Sequence, residues 1–420
     1  MEEQQHIPHL TGQEITEKMQ QGLAGLDTNA KRVLVIIPDG TRTAPIPLMM
    51  RALYQVVGHQ ARQFDVIIAL GTHQPMSDAA LEHHLGMSAS ERTQLRNFRV
   101  MNHEWYTPGT LVQIGTVPDS EMRAITKGIL TEPSAVLINK QVLEHDQIII
   151  CGPVFPHESV GFSGGNKYLF PGVAGFETIN TFHWLSAMLT TMGIIGIEDT
   201  LVRRLIDKYA TYVNTPVTCV SFVSSQAGVH ALYIGDAITS QRMAAEVSAQ
   251  VHITYLDKPV KTVIAHAAEQ YDDLWTGGKA MYKSEPVVAD GGRVLIHAPH
   301  ITEVSYTHGK WLDEAGYHVR DYFAKQMDRF AHIPKVALAH STNVKGAGTY
   351  DAETRIEAPR IQVDIATRIP RDRTEHINLG YVDLATVSID DWQRRAKDDD
   401  SILVIPHAGE MLFRLKGAKT

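Results

Sequence analysis

The chain has 420 residues, enough to bury large cores and to form two domains. Its 44% hydrophobic and 20% charged composition is that of an ordinary globular protein, and a formal charge of −8 argues against nucleic acid or an anionic membrane as the main partner. Two cysteines, Cys151 and Cys219, can build neither a disulfide framework nor a cysteine-rich metal site.

The first residues, MEEQQHIPHLTGQE, are acidic and polar, unlike a secretory signal, and no apolar run reaches transmembrane length. A cytoplasmic, reducing setting is expected. Along the chain, Arg32–Pro38 (RVLVIIP) is a short β-branched run, followed by a Gly/Thr/Pro turn and an apolar helical stretch near Leu48–Gln63. Phe64–Leu70 (FDVIIAL) repeats the pattern, ends at Gly71-Thr72-His73, and precedes a helix over Ser77–Leu85. Gln147–Cys151 (QIIIC) is a third buried strand, running into a glycine-rich segment. Strands alternating with helices predict an α/β fold of two domains, each with a mostly parallel sheet flanked by helices. The expected division is 1–265 for a catalytic, cofactor-binding domain and 266–420 for an α/β domain closing over the site, with a hinge near Leu256–Ala289. In the second half, Arg293–Ala298 and Lys335–Ala339 are expected strands. Ser388–Lys397 is an expected helix and Ser401–Pro406 a final strand.

Polar motifs follow the strands. Asp39-Gly40-Thr41-Arg42 sits in the first strand-to-helix connection, where the Arg42 fork can clamp a carboxylate or phosphate and helix-start amides can take a phosphate. Taken alone, a glycine turn with Asp39 as a cap and Arg42 in a surface pair explains it as well. His73 closes the second strand, a place where most histidines are structural. His83, His84, His103 and His145 read as surface or core residues. The segment Pro156–Trp184, PHESVGFSGGNKYLFPGVAGFETINTFHW, sets Lys167 between His157 and His183 amid Gly161, Gly164, Gly165, Pro171 and Gly172. Glycines at this density let a backbone approach a ligand, lysine is a nucleophile or anchor, and histidine moves protons or binds metal. In open α/β sheets ligands gather beyond the carboxyl ends of strands, so these motifs are expected to share one site in the cleft between the domains.

The same segment resembles the nickel-dependent lactate racemase family, whose pattern is a histidine, then GFSGG-x-K, then PG and a later histidine. His157, Gly161 to Gly165, Lys167, Pro171-Gly172 and His183 fill those places in order. The resemblance implies an isomerase, racemising or epimerising a 2-hydroxy acid at C2. It further implies a nickel-pincer nucleotide (pyridinium-3,5-bisthiocarboxylic acid mononucleotide nickel) joined covalently to Lys167. His183 would ligate the nickel, and His73 and His157 would be the paired acid/bases. Arg42 would hold the substrate carboxylate, with Thr43 where proline is usual. Asp39, Thr41, Gly164 and Gly165 would lie beside the cofactor. In Leu274–Lys279, Lys279 matches the family's substrate-side lysine. Thr276 stands where the family has Gln, which leaves room for a substrate larger than lactate, and Trp275 where it often has Tyr. Phe323 would be the aromatic covering the cofactor. The implied partners are a small 2-hydroxy acid and the enzymes that make the cofactor.

Three other classes fit the sequence less well. A nicotinamide-dependent sugar-acid dehydrogenase lacks a G-x-G-x-x-G after the first strand. A zinc hydrolase lacks H-E-x-x-H or comparable spacing. A non-catalytic phosphate- or carboxylate-binding protein would use Lys167 only as a charge.

Overall fold

In the computed structural model, which describes residues 7–41, 43–95 and 97–417, the apolar runs become parallel strands covered on both faces. Six strands form the first sheet: β1 (Arg32–Pro38), β2 (Gln63–Ala69), β3 (Phe98–Asn102), β4 (Gln147–Pro153), β5 (Val217–Ser225) and β6 (Gly228–Gly235). Their order is β6-β5-β4-β1-β2-β3, parallel except for the β5–β6 hairpin. β4 and β1 are the two central strands, with Val35 beside both Val66 and Ile149. Side chains alternate across a strand, so Val33, Val35 and Ile37 face one core with Ile15, Met19 and Met50. Leu34 and Ile36 face the other, with Phe182, Leu205 and Tyr209. Burial on both faces explains why these strands are continuously apolar rather than alternating.

The second sheet holds β7 (Val260–Ala267), β8 (Val288–Ala298), β9 (Gln362–Thr367), β10 (Gly380–Tyr381) and β11 (Ile402–Ala408), in the order β10-β9-β8-β7-β11 and parallel throughout. The expected division at residue 265 falls inside β7. The expected hinge at Leu256–Ala289 contains that strand and two short helices, Leu274–Gly277 and Lys279–Tyr282. The glycines of TGGK belong to this helical pair, not to a linker.

Two other expectations change. Lys335–Ala339 is not a strand but the start of a helix, Lys335–Lys345, buried from Val336 to Val344 and packed on the helix Phe176–Leu189. Pro334 at its N-cap forbids a ladder donor and leads naturally into a helix. Ile402–Ala408 is not final, because Leu412–Leu415 follows and pairs in parallel with Ile253–Leu256. The helix expected near Leu48–Gln63 runs from Ile46 to Leu53 and continues as a π-turn through Gly58.

Candidate active site

Strand ends, a short turn and helices carry the side chains at the site. β1, β2 and β4 deliver the segments after Pro38, Ala69 and Pro153 to one cavity. The helix Phe176–Leu189 supplies Ile179, Phe182 and His183, and the second half supplies Trp275, Thr276, Lys279, Tyr282, His340 and Asn343. The cavity is thus walled by both sheets' segments. Of the residues expected from sequence, it brings together Asp39, Thr41, His73, His157, Gly164, Lys167, His183, Thr276 and Lys279. Arg42 lies outside the described residues.

His73 has a carboxylate behind it. Its Nδ1 is 2.5 Å from Oδ2 of Asp39, whose Oδ1 accepts from the amide and hydroxyl of Thr41 at 3.1 and 2.6 Å. Burial alone would raise the Asp39 carboxyl, but His73, Thr41 and the charge of Lys279 more than offset it and hold it well below the usual range. Asp39 is therefore an anion whose partner is the imidazole. It aligns His73 by the logic of a carboxylate–histidine pair, leaving Nε2 for proton exchange.

His157 lies in a two-stranded hairpin, Pro156–His157 against Gly161–Phe162. The amide of Ser159 donates to its Nδ1 at 3.1 Å, and Oε2 of Glu158 lies 3.3 Å from the same atom. Sequence reading missed Glu158: it neighbours His157 in the chain, yet only the tight hairpin turns its carboxylate back onto the ring.

Glycine has specific duties here. Gly161 has φ +84°, and a Cβ on it would lie 1.7 Å from the carbonyl oxygen of Ile197. Gly165 has φ +59° and sits against the carbonyl of Ala237, and it is not part of the cavity wall. These glycines serve left-handed backbone and close packing against the protein's own chain, rather than an open cradle for a ligand. Gly164, also at positive φ, does border the cavity. The buried Arg203 fixes the loop by donating to the carbonyls of Gly164, at 3.1 Å, and Phe162. The resulting short turn, Gly165–Tyr168, presents Lys167 to the cavity. The amide of Gly71 donates to the carbonyl of Gly172 at 3.0 Å, tying the His73 loop to the Lys167 segment.

His183 is set up as a ligand. Its Nδ1–H donates to the carbonyl of Ile179, one turn back, at 2.8 Å, which leaves the Nε2 lone pair. Burial lowers its pKa, and nearby Lys167 and His73 reinforce the shift, so the ring is neutral at pH 7. Among the described residues no group of three His, Cys, Asp or Glu is placed to hold a metal. A single imidazole suits an ion that arrives with ligands of its own.

The second half contributes a stack that the sequence did not announce. Trp275 lies between His340, at 4.1 Å between centroids, and His308, at 4.4 Å. Burial pushes both histidines down to about 3. Nε2 of His308 is 3.1 Å from the Thr72 hydroxyl, joining the two halves beside His73. A helical reading of Lys335–Lys345 would have set His340 and Asn343 three residues apart on one face, which is the signal that could have found them. Thr276 borders the cavity, but its hydroxyl bonds Oδ1 of Asp273 at 2.9 Å. Lys279 has its Nζ over the Tyr271 ring, 4.7 Å from the centroid. Phe323 is elsewhere: it is fully buried with Trp184, Phe330 and Leu338, and the second half brings Trp275 and Tyr282 to the cavity instead. The physical reason is its helix, Arg320–Ala324, which packs beneath Lys335–Lys345 instead of facing the cavity.

Comparison with known proteins points to one family. Residues 13–193 match the family model described as the lactate racemase N-terminal domain. A lactate racemase of Thermoanaerobacterium thermosaccharolyticum is 22% identical over 303 residues, 70% of this chain and 66% of that protein. A lactate racemase of Lactiplantibacillus plantarum is 27% identical over 184 residues, 41% of this chain and 39% of that protein. The chain therefore aligns with less than two thirds of the length of either curated relative. Among solved structures, a Thermotoga maritima protein superposes with a TM-score of 0.88 at 33% identity, covering 97% of this chain and 99% of its own. The lactate racemase apoprotein of T. thermosaccharolyticum superposes with a TM-score of 0.70 at 18% identity, covering 95% and 93%, a likeness of fold. No described helix is long and apolar enough to cross a membrane.

Proposed function

We propose that the chain, whose residues 13–193 match the lactate racemase N-terminal domain, is a cytoplasmic isomerase of that family inverting C2 of a 2-hydroxy acid. One observation carries the reading: two histidines from different strand-end loops, each backed by a carboxylate, border the same cavity as Lys167 and His183.

The residues fit the family's nickel-pincer nucleotide. Lys167 would tether it, and the neutral His183 would offer Nε2 to the nickel. Its enzymatic assembly would require other proteins as partners. When bound, the group supplies a reversible hydride acceptor beside C2, so that inversion needs no ionisation of a very weak carbon acid. His73 and His157 handle the hydroxyl proton: one imidazole takes it as the C2–H bond breaks, and the other returns it when hydrogen re-enters from the opposite face. Proton exchange with solvent resets both rings. Each such group contributes about 10²–10⁴-fold to a rate. Arg42 and Lys279 are assigned to the substrate carboxylate, keeping the planar 2-oxo acid in the site while it turns its other face for the return of hydrogen.

Intact-protein mass spectrometry with nickel analysis tests this, on protein made with and without the cofactor's biosynthetic enzymes. The expected result is an added mass mapping to Lys167 and about one nickel per chain. His183→Ala should keep the mass and lose the metal. Absence of both adduct and nickel under both conditions would sink the assignment.

A further inference from the structure

One turn in the second half touches the neighbours of both residues assigned to the substrate carboxylate. That turn, Gly409-Glu410, lies between β11 and the strand Leu412–Leu415. Oε1 of Glu410 accepts from the amide of Thr43, the residue after Arg42, at 2.9 Å, and from Nε2 of Gln270 at 3.3 Å. Nζ of Lys283 donates to the Glu410 carbonyl at 2.7 Å and anchors the turn from behind. Thr43 is held on its other side as well. Its carbonyl accepts from the hydroxyl of the buried Ser224 at 3.2 Å, and Nε2 of His252 donates to the Ser224 carbonyl at 2.9 Å. Gly409, at φ +121°, packs so closely on Tyr271 that a Cβ would lie 2.4 Å from the ring. The same ring carries Nζ of Lys279, 4.7 Å from its centroid.

We infer that Glu410 is a positioning residue: from the second half it fixes the loop that carries Arg42, so that one turn sets both groups assigned to the substrate carboxylate. The inference rests on the proposed C2 chemistry and its assignment of Arg42. Without an acceptor, the half-shielded Thr43 amide loses its bond and the loop gains freedom. Asp39, Thr41 and His73 hold one another, so that freedom falls on the Thr43 end of the loop. The consequence is a weaker grip on the carboxylate rather than a slower proton transfer, because the carboxylate is bound in the ground state and the transition state alike. The bond itself needs an oxygen and not a charge, since an amide oxygen accepts it equally from Thr43 and Gln270.

The test compares Glu410→Ala with Glu410→Gln, which keeps the length and an acceptor oxygen. In protein without the nucleotide, hydrogen exchange at the Thr43 amide should speed up about tenfold in Glu410→Ala and return to near the unmodified rate in Glu410→Gln. In enzyme carrying its nucleotide and nickel, C2 inversion is followed for lactate, malate and gluconate. For each acid that turns over, KM should rise about tenfold in Glu410→Ala, with kcat changed far less and Glu410→Gln restoring KM. An unchanged Thr43 exchange rate in Glu410→Ala would overturn the inference while leaving C2 chemistry intact. So would a loss confined to kcat, or a Glu410→Gln enzyme as impaired as Glu410→Ala. Inversion of none of the acids by the unmodified loaded enzyme would overturn the proposed C2 chemistry, and this inference with it.

Discussion

Nδ1 of His73 stands 2.5 Å from Oδ2 of Asp39, and the other oxygen of that carboxylate is already committed to Thr41. The carboxylate therefore has one imidazole to orient and little freedom to do anything else. Asp39→Asn keeps the shape but loses the charge and can present an amide N–H to the ring, favouring the wrong tautomer. For loaded enzyme we expect kcat to fall about 10²-fold or more, with KM changed far less. A kcat left unchanged by Asp39→Asn would assign Asp39 to the loop's shape alone.

Glu158 also lies beside a ring nitrogen, 3.3 Å from Nδ1 of His157, but that nitrogen accepts from the Ser159 amide, so unlike Asp39 this carboxylate takes no ring N–H and acts by its charge. Its hold is looser, so Glu158→Gln should cost less, about tenfold in kcat. The equilibrium between the two stereoisomers is fixed by the substrate, so kcat/KM in the forward and reverse directions must fall by the same factor. Unchanged kinetics in both directions would show that Ser159 alone orients the ring.

How far the sequence announced this site depends on what each residue needed. Strand ends expected at Pro38, Leu70 and Cys151 fall at Pro38, Ala69 and Pro153, because parallel strands buried on both faces are unbroken apolar runs, and the motifs behind them inherit that placement. Lys335–Ala339 was not, because a five-residue apolar run fits a strand and a buried helix equally. Only its partner helix Phe176–Leu189 decides, and with it go His340 and Asn343. Trp275 was visible, but its sandwich between His308 and His340 joins three segments distant in sequence. Asp39 was visible as a loop residue whose real duty, holding His73, spans 34 positions.

Gly161 offers a test of the loop that carries the chemistry. Its φ is +84°, and a methyl there would collide with the Ile197 carbonyl at 1.7 Å, which cannot be relieved by turning a side chain. Gly128 has nearly the same φ, +83°, with nothing within 4 Å of a built Cβ. Gly128→Ala should therefore cost only the left-handed backbone penalty, about 1–2 kcal/mol. Gly161→Ala should cost about 3 kcal/mol or more and loosen the hairpin that holds His157. Urea midpoints at constant m-value separate the two. Equal losses would mean that Ile197 yields easily and that the glycine serves conformation alone.

Acid should destabilise the fold through its buried histidines. Burial lowers His103 and His252 to about 4 and His308 and His340 to about 3, from an ordinary value of 6.5. In each case the unfolded chain binds the proton more readily than the native one. Stability is thus fully present above about pH 6.5 and declines as the pH falls through the window toward 3–4, by up to about 1.4 kcal/mol per pH unit for each group. Urea midpoints should drop steadily from pH 7 to pH 5. His252 offers a separate handle, since it lies outside the cavity wall and packs on Phe155 at 4.4 Å. His252→Gln should lower stability at pH 7 yet flatten the acid decline by about one group's share. A midpoint that stays constant between pH 7 and pH 5 would mean that these imidazoles take up protons in place, with water reaching the Trp275 stack and the helix bearing His252.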